Sequence, residues 1–152
     1  MDKYAFQYCQ KLVIFSADFD SVLLCKRKGE ADYDGMYSFP GGKMETTDKD
    51  IVSGLTREKT EELGENFKIK IYPQFTTSFY FKKKNGSFMI LPHYLSVYKE
   101  GEIVLNDEYS DYKWVKLEEL DTFEPKIETI PMAASKMLKL REILREEDLI
   151  EI

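Results

Sequence analysis

Cysteine, histidine and tryptophan are scarce in this chain of 152 residues, which has two cysteines, one histidine and one tryptophan. Cys9 and Cys25 are too few for a disulfide framework and do not form a metal-ligand pattern. Each lies in an apolar segment, so we expect two buried thiols, because free cysteine packs as a small hydrophobic residue. The single histidine, His93, cannot form a zinc site with its neighbours, and we interpret it as a hydrogen-bonded structural or pocket-lining side chain.

The sequence also lacks long apolar runs and an excess of positive charge. No run approaches the roughly 20 apolar residues that a membrane-spanning helix needs, and the first residues lack the layout of a signal peptide. The net charge of -6 and the pI near 5.0 argue against non-specific binding to nucleic acid or to anionic membranes, which requires basic residues. We therefore expect a cytoplasmic protein without nucleic-acid or membrane partners. A small phosphorylated substrate remains compatible with this charge if a divalent cation mediates the contact.

Apolar residues make up 43% of the chain and are spread along it, which predicts one globular domain over residues 1–152. Periodicity and turn signals predict strands at residues 4–16, 22–25, 67–82, 88–98 and 111–117, and helices at residues 47–63 and 128–146. Thr46, Thr47 and Asp48 are candidate N-caps for the first helix, and Gly64 is its expected C-terminal cap. This order of elements predicts an α/β fold with a mixed sheet between helices.

The stretch with the clearest chemical content is an acidic segment of the first predicted helix. Glu58, Glu61 and Glu62 stand at positions i, i+3 and i+4, so their carboxylates share one helix face and repel one another. A hard divalent cation such as Mg²⁺ would relieve that repulsion, because it prefers oxygen ligands. The alternative is a solvated acidic helix face, which is the ordinary interpretation of such a pattern taken alone. The glycines upstream and downstream, at this spacing, favour the metal site.

Two neighbours of the acidic segment support the metal-site interpretation. Arg57 lies four residues before Glu61, where its planar guanidinium can orient a carboxylate better than a lysine could. Gly41 and Gly42 let the backbone approach the helix closely, so that a main-chain carbonyl can complete a metal shell.

The segment from Gly42 to Gly64 resembles the Nudix box, GX5EX7REUXEEXGU, in which U is an aliphatic residue. The matching positions are Gly42, Arg57, Glu58, Glu61, Glu62 and Gly64. The spacer from Gly42 to Arg57 is one residue longer than in the pattern. The first box glutamate is therefore matched by Asp48 when counted from Gly42, or by Lys49 when counted back from Arg57. Lys59 and Glu65 replace aliphatic residues, and we expect the Lys59 stem to pack while its ammonium reaches outward.

The resemblance implies a Nudix-type α/β/α sandwich and water attack on one phosphorus of a pyrophosphate. It implies Mg²⁺ as the cofactor, with Mn²⁺ able to replace it, and a small nucleotide as the substrate. The implied metal ligands are Gly42, Glu58, Glu61, Glu62 and Glu108. Glu61 or Glu108 would be the general base, assisted by Arg57, while Asp107 and Asp111 compete with Glu108 for its place. The candidate substrate-binding residues are Arg27, Lys43, Phe79 and Tyr37. A homodimer is compatible with the sequence.

Three functions remain open at this point. The first is a Mg²⁺-dependent pyrophosphohydrolase acting on a nucleoside triphosphate or a related nucleoside diphosphate derivative. The second is a nucleotide-sugar hydrolase, because the segments His93-Tyr94 and Asp107 to Trp114 resemble segments of such hydrolases in the Nudix superfamily. The third is a catalytically silent Nudix domain that binds a nucleotide. The complete Arg-Glu-x-x-Glu-Glu set favours ordinary phosphoanhydride cleavage.

Overall fold

The computed structural model describes residues 2–152, and its strands form one mixed sheet with a helix on each face. In chain order the strands are β1 (Gln7–Phe15), β2 (Ser21–Arg27), β3 (Tyr37–Ser38), β4 (Gly41–Lys43), β5 (Lys68–Lys82), β6 (Phe88–Glu100), β7 (Tyr109–Lys116) and β8 (Ile150–Glu151). The helices are α1 (Ile51–Leu63) and α2 (Ile130–Lys139), and three short 3₁₀ turns lie at 117–119, 140–142 and 146–148.

The main path of the sheet runs in the order β3-β2-β1-β6-β5-β8, with β4 paired to β1 and β7 paired to β2. The strands β1 and β6 are parallel, while β2 and β5 pair antiparallel with their neighbours. The predicted α/β fold with a mixed sheet is therefore confirmed. Among residues 2–152 no helix is both long and apolar enough to cross a membrane.

Alternating side chains on the central strands feed two separate hydrophobic layers, because successive residues of a strand point to opposite faces. Leu12 and Ile14 of β1 pack with Leu55 of α1 on one face. Val13 and Phe15 pack on the other face against α2. Both faces are covered, so the second half of β1, residues 12–15, is a continuous apolar run rather than an alternation.

The first helix is shorter at its start than the sequence predicts. It begins at Ile51, and its N-cap is Asp50, whose carboxylate accepts a 2.8 Å hydrogen bond from the Ser53 N–H. The candidates Thr46, Thr47 and Asp48 are therefore wrong, because residues 44–50 form a loop before the helix. The C-terminal cap at Gly64 is confirmed, since its N–H donates to the Thr60 carbonyl.

The second helix is also shorter than expected, and the sequence does not predict the three short strands β3, β4 and β8. α2 covers Ile130–Lys139 rather than residues 128–146, and a 3₁₀ turn follows it. The segment Gly41–Lys43 forms the strand β4, which pairs with β1. The two-residue strand β8 pairs with β5 near the end of the chain.

The strands β1 and β2 separate beyond the turn that joins them, and this separation opens a space between them. The two strands pair at Phe15 and Val22, next to the turn that joins them. Farther from that turn, β1 pairs with β4 and β2 pairs with β3. The segment that links β3 to β4 therefore lies between them, and the chain continues from β4 into the loop before α1.

Candidate active site

The acidic face of α1 is partly buried against β4. The exposed fraction is 7% for Glu58 and 1% for Glu62, whereas the side chain of Glu61 is 54% exposed. One oxygen of Glu62 accepts a 2.8 Å hydrogen bond from the Gly41 N–H, which ties the helix to the first residue of β4. Of the three carboxylates, Glu62 thus contacts Gly41 and Glu58 lies against Gly42, whereas Glu61 is exposed.

Burial changes the pKa values of Glu58 and Glu62. It raises the pKa of Glu62 well above its usual range, although the Lys11 ammonium and the Gly41 N–H act in the opposite direction. Burial also raises the pKa of Glu58, while its hydrogen bond from Arg57 lowers it. A buried carboxylate resists ionisation unless nearby charges or donors compensate for its lost hydration. An added positive charge would therefore favour the ionised forms of both side chains.

Arg57 joins the acidic helix face to the loop that precedes the helix. Its Nε and Nη2 donate to the two carboxylate oxygens of Asp48 at 2.8 and 2.9 Å. Its Nη1 donates to Glu58 at 2.9 Å and to Glu61 at 3.4 Å, and Nη2 also donates to the Lys43 carbonyl at 3.0 Å. This bidentate geometry requires a planar guanidinium. Of the two residues that the counts allow for the first box glutamate, Asp48 is the one that contacts Arg57.

Gly42 leaves room for the Glu58 carboxylate. A Cβ atom added at Gly42 would lie 2.2 Å from one carboxylate oxygen of Glu58, which is far inside van der Waals contact. The sequence needs glycine here because the side chain of the helix lies directly against the backbone of β4.

The chemistry of these donors fits a hard divalent cation. The second carboxylate oxygen of Glu62 is buried and makes no hydrogen bond within 3.5 Å among residues 2–152, and the nearby Tyr109 hydroxyl only partly offsets the effect of burial on the pKa of Glu62. A buried carboxylate without full compensation is costly. Within the same residues no three Asp, Glu, His or Cys side chains converge closely enough to enclose a metal on their own. Magnesium usually retains waters and substrate phosphates in its shell, so a partial set of protein ligands suits it.

A cavity of about 860 Å³ opens beside this helix face. Its acidic lining includes Glu58, Glu61 and Glu108. Its basic lining consists of Lys11, Arg27, Lys43, Arg57 and Lys83. Both charge signs therefore meet in one concave space, as a phosphorylated substrate with a bound cation would require.

Glu108 reaches the cavity from the loop before β7, and its two competitors do not line it. The backbone of Glu108 is fixed at both ends, because its N–H donates to the Asn106 side chain at 3.0 Å and its carbonyl accepts from Lys28 at 3.0 Å. Asp111 instead accepts a 2.7 Å hydrogen bond from the Tyr37 hydroxyl.

Three of the four candidate substrate-binding residues line the cavity, namely Arg27, Lys43 and Phe79. Arg27 is an inward residue and not one of three surface cations, since its side chain is 15% exposed and pairs with Glu30. Tyr37 lies elsewhere. Its ring is buried and packs edge-on against Phe123 at 5.1 Å, and burial raises the pKa of its hydroxyl to about 12.

The structure agrees with the interpretation of His93 but not with the expectation for Lys59. His93 is buried and lines the cavity, and its Nδ1 donates to the Leu91 carbonyl at 2.8 Å, which confirms the structural interpretation. Lys59 does not reach outward. It is 2% exposed, and its ammonium lies 3.5 Å from the Gly64 carbonyl at the end of α1. Cys9 and Cys25 are buried free thiols, as predicted.

Sequence reasoning missed two basic residues of the cavity. Lys11 is 8% exposed, and its ammonium lies 3.5 Å from the Gly41 carbonyl. A lysine directly before the apolar run at residues 12–15 of a buried strand was the available signal. Lys83 belongs to the turn between β5 and β6, and its position over the cavity depends on a packing that local sequence does not show.

The chain belongs to the Nudix family: the family model described as the NUDIX domain matches residues 11–138. It is a Nudix hydrolase. The nucleoside triphosphatase NudI of Escherichia coli is 29% identical over 132 residues, which cover 82% of this chain and 89% of that protein.

Solved structures show the same fold. The MutT protein of Methanosarcina mazei has a TM-score of 0.73 at 19% identity, with 93% of this chain and 99% of that chain covered. The NUDIX domain of Shewanella oneidensis NrtR, solved with ADP ribose, has a TM-score of 0.66 at 20% identity, with 93% and 90% covered. Both matches support the predicted α/β/α sandwich.

Replacing Asp48 by asparagine tests the loop-to-helix ion pair. Arg57 holds the pKa of Asp48 at about 2, so this carboxylate is ionised at neutral pH, and an amide in its place would leave Arg57 without its bidentate partner. We expect kcat/KM for nucleotide hydrolysis to fall roughly 10- to 100-fold, as for other residues that orient ligating groups. Asp50→Asn is the matched control, because asparagine caps a helix as well as aspartate does. Equal losses in the two variants, or none in Asp48→Asn, would contradict the role of the ion pair.

The buried histidine predicts a pH-dependent stability. Burial lowers the pKa of His93 from 6.5 to about 4, so the unfolded chain takes up a proton at higher pH than the folded chain does. Its contribution therefore favours unfolding as the pH falls from 6.5 to 4. Urea titrations at several pH values measure this effect. Over this interval, the free energy of unfolding of the wild type should fall by up to about 3 kcal/mol relative to that of His93→Gln. A difference between the two proteins that does not change with pH would refute this assignment.

Proposed function

We propose that this enzyme is a magnesium-dependent pyrophosphohydrolase that cleaves a phosphoanhydride bond of a nucleoside triphosphate. The observation that carries the proposal is a cavity lined by both carboxylates and basic residues, behind whose lining residue Gly41 the buried carboxylate of Glu62 is held by a 2.8 Å hydrogen bond. A site of this composition suits a polyphosphate that arrives with a divalent cation. The relation to a protein named nucleoside triphosphatase supports the choice of substrate.

The metal would be held by Glu58, Glu62 and the Gly42 carbonyl, with Glu61 and Glu108 as further candidate ligands. When bound, Mg²⁺ would polarise the phosphoryl oxygens and offset the charge that develops on them. The Asp48–Arg57 pair keeps Glu58 beside Gly42. Since Glu58 and Glu62 are the two buried carboxylates, they are the better suited to a fixed ligand role.

Glu61 is the group that we assign as general base. Its side chain is the exposed member of the acidic face and lines the cavity, so a water molecule can reach it. Glu61 would take a proton from that water as the water oxygen forms a bond to one phosphorus. The bridging P–O bond breaks, and its electron pair leaves with the oxygen of the departing phosphate. Proton transfer of this kind contributes about 10²- to 10⁴-fold to a rate.

The basic residues of the cavity would hold the phosphates and balance the departing charge. Arg27 is fixed in place by its ion pair with Glu30, and Lys43 extends from β4. Phe79 packs edge-on against His93 at 5.2 Å, which leaves its ring in the cavity wall as a surface for a nucleobase.

Replacing Glu61 by glutamine tests the chemistry most selectively. The variant keeps the size of the side chain but cannot accept a proton, so kcat for a nucleoside triphosphate should fall about 10²- to 10⁴-fold. Glu65→Gln is the control, because Glu65 is an exposed acid just beyond α1. The assay is phosphate or pyrophosphate release from a panel of nucleotides with Mg²⁺, with the products identified by chromatography.

Several outcomes of this assay would count against the proposal. A larger loss in Glu108→Gln than in Glu61→Gln would transfer the role of general base to Glu108. Turnover of ADP ribose but of no triphosphate would replace the substrate class. No turnover of any phosphoanhydride by the wild-type enzyme would refute the proposed reaction.

A further inference from the structure

The turn between β5 and β6 carries a lysine to the edge of the cavity. The Asn85-Gly86 pair closes this turn, with the Gly86 N–H donating to the Lys83 carbonyl at 2.9 Å and the Lys83 N–H donating to the Ser87 carbonyl at 2.9 Å. Gly86 has φ of +90°, a conformation that favours glycine. The sequence predicts this hairpin, but the position of Lys83 on the cavity wall depends on the contacts around it.

The hairpin is fastened to the loop between β2 and β3. The Lys84 N–H donates to the Asp32 carboxylate at 3.2 Å, and the Lys84 ammonium donates to the Ala31 carbonyl at 3.0 Å. The rings of Tyr33 and Phe81 pack with their centroids 5.4 Å apart. These contacts hold the backbone of Lys83 in place, so its side chain extends over the cavity from a fixed base.

Lys83 and Lys43 form a pair of cations without acidic partners. The two side chains come from different elements but line the same cavity, so one anion in that cavity can interact with both. Neither has an ion-pair partner within residues 2–152. Two like charges held together repel each other, and an anion placed between them would remove that repulsion.

The acidic residues of the adjoining loop do not neutralise this pair. Glu30 is engaged by Arg27, and Asp32 accepts from the backbone of Lys84. Arg57, the other cation next to β4, is engaged by Asp48, Glu58 and Glu61. Lys43 and Lys83 thus form no ion pair within the described residues, although the chain has a net charge of -6.

We propose that Lys43 and Lys83 form an anion subsite that binds a phosphate group of the substrate's polyphosphate chain. Lys83 would be a specificity-determining residue, because it favours substrates that extend a second anionic group toward the hairpin. The identity of the substrate rests on the proposed function. The binding of a polyphosphate to the two lysines does not, since it requires no turnover.

Calorimetric titration with inorganic tripolyphosphate in metal-free buffer tests the subsite directly. We expect Lys83→Gln to bind tripolyphosphate about tenfold more weakly than wild type, because it loses one charged contact with the anion. Lys83→Arg should bind about as well as wild type, because it keeps the positive charge. Lys116→Gln is the matched control, because Lys116 is exposed at the end of β7 and does not line the cavity. Thermal melts of each variant check that the fold is retained.

The outcomes separate this inference from the proposed function. Equal tripolyphosphate affinity in wild type and Lys83→Gln, with both folded, would overturn the subsite even if the wild type hydrolyses nucleoside triphosphates. Weaker binding in Lys83→Gln supports the subsite even if the wild type hydrolyses no triphosphate. Lys43→Gln provides a second test, because its affinity for tripolyphosphate should fall by a similar factor. The fall in affinity of the double variant should be smaller than the product of the two single factors, since both lysines contact the same anion.

Discussion

Three carboxylates within about one turn of α1 repel one another, and the fold buries two of them nonetheless. The arrangement depends on Arg57, whose guanidinium contacts Asp48, Glu58, Glu61 and the backbone of Lys43 at once. This single side chain connects the loop, the helix and β4. Arg57 offsets the effect of burial on Glu58 in part, and the Lys11 ammonium and the Gly41 N–H do the same for Glu62. A bound cation would favour the ionised forms of both carboxylates further.

The topology explains why this cluster faces a cavity. Because β1 and β2 diverge, the segment containing β3 and β4 lies between them and brings Gly41 and Gly42 under α1. The hairpin of β5 and β6 and the loop after β2 then enclose the space from another direction. Residues distant in sequence meet there, so residues of the acidic helix, of the basic strand ends and of the aromatic wall line one cavity.

The sequence could predict the acidic helix face because its spacing is local and its partners lie within the same box. The long strands β5 and β6 and the hairpin between them were predictable for the same reason. The start of α1 was not, because the choice of Asp50 over Asp48 as N-cap depends on Asp48 binding Arg57. Tyr37 and Lys83 show the same limit. Tyr37 lies in the core and Lys83 lies at the cavity because of contacts between segments that are distant in sequence. A local sequence pattern does not show such contacts.

The central claim is that the buried carboxylates of α1 form a divalent-cation site. Titration of the protein with Mn²⁺, followed by loss of the free-ion signal in electron paramagnetic resonance, measures this without any substrate. Wild type should bind Mn²⁺, and Glu62→Gln should bind it at least about tenfold more weakly, while Glu65→Gln should match wild type. Absence of Mn²⁺ binding in the wild type, or equal affinity in Glu62→Gln, would contradict the account.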